Sequence, residues 1–309
     1  MLTIFPSKAQ NRDVPDWANF FNQKEYNQFI DLIEKYFKEK KCKIQLSDGV
    51  IIAEDNDFGF NNLGIVNVAQ TCKQAKQSEW KRIINDHFES LIESFKFDSE
   101  FQKIIDDFEK VKQYLGVKLY HIDFINGVGK ENTVYRSITD EIVELLIFDL
   151  PTSVQSVKPE YLKIWERQPD ELFDLGIKNI NFHYQPEISE QKLGDIKIWF
   201  VQGDHLYATN IILEPDKMLK YIGTEGALIG VPHRHAVIIY PIESLEVAKA
   251  INILIPIING MNIEGPGSIS GKLYWYNKGK MLDLPYKLTD QKLEFYPPDE
   301  SVTVLNRLK

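Results

Sequence analysis

One stretch, GALIGVPHRHAVIIYP at residues 226–241, restricts the fold of this chain most strongly. Two apolar runs rich in β-branched residues, 227–231 and 236–240, flank the polar turn 232–235. Two such runs separated by a short polar segment are typical of a β-hairpin. Because the two runs carry no charged residue, we expect both strands to lie inside a sheet. The hairpin therefore predicts a buried sheet with histidines at one end.

The rest of the chain predicts an α+β protein, with a helical N-terminal part followed by mixed, largely antiparallel sheet regions and packed helices. A chain of 309 residues with 43% hydrophobic residues is long enough to bury a large core. We divide it into a mainly helical region at 1–115, strands and connecting helices at 116–182, and an α+β sheet region at 183–309. The alternative is that all three regions form one compact body.

Hydrophobic periods locate the individual elements. Apolar residues at helical spacing predict a helix with a buried face of Tyr26, Phe29, Ile30, Ile33, Tyr36 and Phe37. Two further helical segments, 80–95 and 101–111, predict an antiparallel helix pair. Runs of strand-forming residues predict strands at 117–125, 142–150 and 206–213, and the uniformly apolar run 142–150 is typical of a strand covered on both faces.

The charge balance argues against a nucleic-acid partner. The formal net charge is −9, whereas nucleic-acid-binding proteins usually carry a basic excess on one face. Cys42 and Cys72 are thirty residues apart and form no CxxC motif, so neither a zinc site nor a disulfide framework is predicted. We expect no cofactor.

The sequence also predicts a cytoplasmic protein without a membrane partner. No apolar stretch approaches the roughly 18 residues of a membrane span. The first residues, MLTIFPSKAQNRDVPDW, have neither a basic start nor a long hydrophobic region, as a secretory signal would.

The histidines of the hairpin turn are one candidate site. His233 and His235 share one face of an extended segment. The pair Asp204-His205 is the only other cluster in the sequence that could supply a further metal ligand. A metal would need a third ligand from that pair. If 206–213 is a strand, a right-handed crossover carries the chain back and leaves the two turns at opposite ends of the sheet. We therefore predict no metal site and assign no catalytic residue.

An aromatic segment is the second candidate site. Alternation on a strand sends Tyr274 and Tyr276 to one face and Trp275 to the other, which predicts one buried face and one exposed aromatic patch. With Arg234 near it, this patch has the residue types that protein-binding surfaces favour.

Four stretches together resemble a known group of proteins: NLGIVNVAQTCKQAKQSEWKRIINDHF, LLIFDLPTSVQSVKPEYLKIWERQPDELFDLGIKNI, GALIGVPHRHAVIIYP and GPGSISGKLYWYNKG. Their order and spacing resemble uncharacterised bacterial cytoplasmic proteins of actinobacterial type and, more distantly, the YtpQ-like family of unknown function. The resemblance covers residues 61–298. It implies bacterial origin and one shared architecture, and it supplies no assigned catalytic residue.

Two functional hypotheses follow. The first is a non-catalytic cytoplasmic protein of immunity or adaptor type that binds another protein through Arg234 and the aromatic patch. The alternative is an enzyme or ligand-binding protein that acts on a small molecule through His233, His235, Asp204 and His205. The alternative requires that the two turns meet in one cleft and that at least one histidine has a shifted pKa.

Overall fold

A computed structural model describes residues 12–54, 61–289 and 292–295, with the backbone alone for 287–289 and 292–295. The chain divides into two compact units, Met1–Lys103 and Ile104–Lys309. Helices and antiparallel sheets occur in both, so the α+β prediction is confirmed. The sequence regions 116–182 and 183–309 lie in one unit.

The first unit combines helices with a small antiparallel sheet in the order β1-β2-β3. Its elements are α1 (Gln23–Glu39), β1 (Lys43–Ser47), β2 (Val50–Glu54), β3 (Asn62–Gly64), α2 (Val66–Gln74) and α3 (Trp80–Ile104). The six apolar residues predicted for the buried face of α1 are all buried. Asn22 and Glu25 form a capping box at the start of α1, which satisfies backbone N–H groups that the helix leaves unpaired.

The predicted antiparallel helix pair is wrong. Residues 80–104 form one continuous helix, and the next helix, α4, has only four residues, Phe108–Val111. The apolar period of α3 continues as far as Phe101, which is buried, so a pattern assigned to two helices belongs largely to one. The extended backbone of Asp107 separates the two helices.

The second unit begins with a four-stranded antiparallel sheet around a central strand, β6. The elements after α4 are β4 (Leu115–His121), α5 (Ile122–Val128), β5 (Tyr135–Ser137), β6 (Ile142–Asp149), β7 (Val154–Ser156), α6 (Pro159–Ile164) and α7 (Pro169–His183). The first seven residues of β6 are buried, which confirms a strand covered on both faces. The predicted strand 117–125 ends early, because the His121 side chain accepts a hydrogen bond from the Asp123 backbone N–H and caps α5.

A six-stranded antiparallel sheet follows, in the order β13-β12-β10-β11-β9-β8. The remaining helices and strands of the second unit are β8 (Glu187–Leu193), β9 (Ile196–Gln202), α8 (Pro215–Met218), β10 (Ala227–His233), β11 (Ala236–Pro241), α9 (Val247–Glu264), β12 (Leu273–Asn277), β13 (Lys280–Asp283), β14 (Tyr286–Thr289) and β15 (Lys292–Phe295). The predicted hairpin is β10 paired with β11. Strands β14 and β15 form a separate pair.

Both faces of the six-stranded sheet are covered. On one face Leu228, Ile238 and Trp275 pack in a core with α9. On the other face Ile229 and Tyr274 belong to a core that includes residues of β4 and β6. Burial on two faces explains why β10 and β11 are apolar at consecutive positions instead of alternate ones.

The predicted strand 206–213 is also wrong. Residues Ala208–Leu213 form a 3-10 helix instead. Asn210 is buried in it and donates a hydrogen bond to the Val117 backbone oxygen of β4 at 2.7 Å. A short apolar run fits a buried helical turn as well as a strand. The crossover argument that depended on this strand therefore fails.

Candidate functional site

The two histidine-bearing turns meet at one end of the six-stranded sheet. The Gly203 backbone N–H donates to the His235 backbone oxygen at 3.2 Å, and His235 Nδ1 lies 2.9 Å from the Gly203 backbone oxygen. The prediction that the turns lie at opposite ends is wrong, because β9 pairs directly with β11 in antiparallel orientation. Gln202 at the end of β9 is opposite Ala236 at the start of β11, so the residues that flank this pair are neighbours.

A cleft of about 680 Å³ opens between these turns, a size typical of small-molecule sites. Its lining residues come from β8 and the residues just before it, from β9 and the segment after it, from the hairpin, and from the end of α9 with the link that follows. They are Gln185, Glu187, Phe200, Gln202, Gly203, Asp204, His205, His233, His235, Ala236, Met261 and Pro266. Four of the eight candidate binding residues predicted from the sequence therefore share one cleft.

His233 is held by the backbone of its own turn. Its Nδ1 accepts a hydrogen bond from the His235 backbone N–H at 3.3 Å. Burial lowers the pKa of His233, and its electrostatic interactions with His235 and Arg234 lower it further. A methyl group on Gly265 would lie 2.1 Å from Cδ2 of His233, so only glycine allows the link after α9 to pack against this ring. His233 is thus an uncharged polar group near neutral pH.

The carboxylates of the cleft are Glu187 and Asp204, and both residues are exposed. Glu187 accepts one hydrogen bond, from the Gln202 side-chain amide at 2.9 Å. Within the described part of the chain, neither carboxylate has an ion-pair partner, and no lysine or arginine lines the cleft. The cleft therefore favours a cation or a hydrogen-bond donor over an anion.

His205 connects the cleft to a buried polar network. Its Nδ1 accepts from the Tyr207 backbone N–H at 3.2 Å, so Nε2 carries the proton of the neutral ring. That Nε2 is buried and has no hydrogen-bond partner among the described residues. The ring centroid of His205 lies 5.3 Å from that of Tyr184 and 6.4 Å from that of Tyr207, and these contacts hold the imidazole at the wall of the cleft.

Behind His205, one carboxylate receives two tyrosine hydroxyls. Tyr184 donates to Asp149 Oδ2 at 2.7 Å, and Tyr207 donates to Asp149 Oδ1. Burial together with these hydrogen bonds raises the pKa of Tyr184 to about 12 and also raises the pKa of Tyr207. Both hydroxyls therefore stay protonated near neutral pH, and the network supports the cleft wall.

A buried lysine interacts electrostatically with Arg234 and Asp149, and sequence reasoning did not select it. Lys118 on β4 is only 6% exposed, and its Nζ lies 4.7 Å from the Tyr120 ring centroid. Burial lowers the pKa of Lys118 to about 8; the positive charge of Arg234 acts in the same direction, and Asp149 acts against both. The sequence feature that could have identified Lys118 is a lysine among the apolar residues of a strand.

The predicted aromatic patch is wrong. Tyr274, Trp275 and Tyr276 are at most 4% exposed, because their two strand faces enter the two cores of the sheet. Trp275 Nε1 donates to the Glu225 backbone oxygen at 2.9 Å. Arg234 is not beside these residues, because Tyr276 pairs with Ala227, at the opposite end of β10 from the turn. The remaining four candidate residues therefore form no common surface.

Comparison with protein-family models, curated proteins and solved structures gives no match for this chain. The resemblance to bacterial proteins of unknown function stays a prediction. Among the residues described, no helix is long and apolar enough to cross a membrane. Within the same residues, no three histidine, cysteine, aspartate or glutamate side chains are grouped to hold a metal ion.

Proposed function

We propose that the protein binds a small organic molecule with a cationic or hydroxyl group in the cleft between residues 203–205 and 233–235. One observation carries this proposal: the contact between His235 and Gly203 at 2.9 Å brings two turns together into one cleft. The histidine with a shifted pKa, His233, meets the second requirement of the small-molecule hypothesis.

The cleft chemistry supports this class of ligand. Glu187 and Asp204 provide negative charge without a cationic partner in the described residues. Phe200 and Met261 provide an apolar wall, and an aromatic ring also attracts a cation through its face. His233 adds a neutral polar group. Binding sites of this size commonly combine apolar walls with a few placed polar groups.

The first experiment is native mass spectrometry of the untagged protein purified gently from its own host. A bound mass in the range of small metabolites would support the proposal. A stoichiometric second polypeptide would instead support an immunity- or adaptor-like protein. Burial of Tyr274, Trp275 and Tyr276 removes the surface on which that alternative was based, so its partner would have to use another part of the chain.

The ligand class is tested with three benzene derivatives of similar size and different charge: benzylamine as the cation, benzyl alcohol as the neutral probe and benzoate as the anion. Ligand-observed saturation-transfer NMR should give the strongest transfer for benzylamine and the weakest for benzoate. The double variant Asp204→Asn/Glu187→Gln should weaken benzylamine binding by roughly tenfold, because it removes the two negative charges of the cleft. Benzoate binding as strong as benzylamine binding would contradict the proposed ligand class.

A matched control separates the cleft from the overall negative charge of the chain. Glu190→Gln removes one carboxylate from the same strand, β8, but Glu190 does not line the cleft and pairs with Lys197 at 2.9 Å. This variant should bind benzylamine as the unmodified protein does. Turnover of a bound native ligand, followed by chromatography, would extend the proposal from binding to catalysis.

A further inference from the structure

Both ring nitrogens of His235 are occupied. Nδ1 lies 2.9 Å from the Gly203 backbone oxygen, and Arg234 Nε donates to Nε2 at 3.0 Å. A carbonyl oxygen can only accept a hydrogen bond, and the Arg234 Nε–H can only donate one. The two contacts therefore select one form of the imidazole, the neutral ring with its proton on Nδ1.

We propose that Arg234 is a positioning residue of the cleft. Its Nε–H keeps His235 in the tautomer that donates to Gly203, and this bond holds the 203–205 segment against the hairpin turn. The inference rests on the cleft of the proposed function, but it does not depend on which ligand occupies that cleft. It assigns Arg234 to support of the site, in place of the protein-binding role predicted from the sequence.

The other two forms of His235 do not fit these contacts. A proton on Nε2 alone would place the Nδ1 lone pair against the Gly203 oxygen, so two acceptors would face each other. A doubly protonated ring would place the Nε2–H against the Arg234 Nε–H, so two donors and two positive charges would meet. Removal of the guanidinium removes the donor to Nε2, so the contacts of the ring no longer favour one tautomer.

The link after α9 holds Arg234 in place. The Arg234 backbone N–H donates to the Gly267 backbone oxygen at 3.1 Å. Gly267 has a φ of +70°, and a methyl group on it would lie 2.8 Å from Cδ of Arg234. Any larger residue at position 267 would meet both an unfavourable backbone conformation and the arginine side chain. The backbone and the glycine of this link thus hold the arginine in position.

The test is nitrogen-15 NMR of the histidine rings in the ligand-free, full-length protein near neutral pH. In the unmodified protein His235 should show a protonated, pyrrole-type Nδ1 and a pyridine-type Nε2. Arg234→Met keeps an unbranched side chain as far as the position of Nε but has no donor there, and it should lose this signature. Arg234→Lys keeps a charged donor and should restore part of it. An Nε2-protonated His235 in the unmodified protein, or an unchanged signature in Arg234→Met, would overturn the proposal.

Lys192→Met is the matched control, because it removes one positive charge from the exposed strand β8. It should leave the His235 signals unchanged. Circular dichroism reports whether each variant is folded, and the spectra should be the same for all of them. A Lys192→Met effect equal to that of Arg234→Met would show that only the net charge matters and would refute the positioning role.

Amide hydrogen exchange gives a second readout. The Gly203 backbone N–H bonds to the His235 backbone oxygen at 3.2 Å, so its exchange reports the contact between the two turns. Arg234→Met should accelerate Gly203 exchange by about tenfold, because the imidazole contact no longer supports the backbone contact. An unchanged rate would refute the claim that the imidazole holds the segment. Neither readout involves a ligand, so failure of the ligand-binding proposal leaves them interpretable.

Discussion

The β10–β11 turn and strand β12 lie on the same sheet, and both were candidate binding sites. At the turn, His233, Arg234 and His235 are half-buried and line or support a cleft. On β12, Tyr274 and Trp275 are buried on opposite faces of the sheet. Both segments contain residue types common at binding sites, but only the segment at the end of the sheet reaches solvent.

This difference shows that position in the sheet decides the role of a residue more than its type does. β12 lies second from one edge and is covered by α9 on one face and by a second core on the other. Its aromatic rings are therefore core residues. The hairpin turn extends past the covered part of the strands, so its polar groups remain available.

The largest effect is expected from Trp275→Ala. Loss of a buried tryptophan creates a cavity and should lower the free energy of unfolding by about 3–5 kcal/mol. Arg234→Ala, at the half-buried turn, should lower it by about 1 kcal/mol or less. Urea denaturation monitored by circular dichroism measures both. Equal, small effects would indicate that β12 is a surface strand, and the comparison between the two regions would then fail.

Lys118 sharpens the comparison, because it is a polar residue in a buried position. Lys118→Met should raise the free energy of unfolding at pH 7 by about 1–3 kcal/mol, since it removes a lysine that burial disfavours in its charged form. The folded-state pKa of about 8 lies below the ordinary value, so the unfolded chain binds more protons above pH 8. The destabilisation caused by the buried charge of Lys118 is therefore complete below pH 8, and it disappears as the pH rises toward about 10.4.

Urea denaturation at several pH values tests this prediction. The stability difference between the two proteins should narrow between pH 8 and pH 10. Lys192→Met, on the exposed face of β8, should change the free energy of unfolding by less than about 0.5 kcal/mol at every pH. A Lys118→Met variant that is less stable than the unmodified protein would mean that the amine makes a net favourable contact.

The smallest effects are expected when the hydroxyl groups of two tyrosines on one face of β12 are removed. The Tyr274 hydroxyl lies 2.6 Å from Ser270 Oγ, whereas the buried Tyr276 hydroxyl has no hydrogen-bond partner among the described residues. Tyr274→Phe should lower the free energy of unfolding by about 1 kcal/mol. Tyr276→Phe should be neutral or stabilising by up to about 1 kcal/mol, because it removes an unpaired polar group. Thermal unfolding measures the stability of both variants. A Tyr276→Phe variant less stable than Tyr274→Phe would contradict the prediction.

Local patterns predicted much of the fold. The buried face of α1, the doubly covered strand β6 and the β10–β11 hairpin were identified from residue spacing alone. The strand 206–213 was not, because a short run of apolar residues has no period that separates a strand from a buried 3-10 helix. Because of that error, the two histidine-bearing turns were predicted to lie at opposite ends of the sheet, although they are in contact.

The site was predicted in part for the same reason. His233, His235, Asp204 and His205 were selected by residue type, but their common cleft depends on the pairing of β9 with β11. Asp149, Tyr184 and Tyr207 were not selected, since their hydrogen bonds join residues up to 58 positions apart. The sequence contains no local signal for a contact of that kind.

The sequence by itself determined the α+β class, the main apolar elements and the residues able to do chemistry, because these depend on spacing and side-chain type within one segment. Only the tertiary structure decided which of those residues meet. It buried the aromatic strand between two cores, and it placed the Gly203 carbonyl against the His235 ring. Burial and strand pairing are set by contacts between distant segments, and local sequence patterns do not specify such contacts.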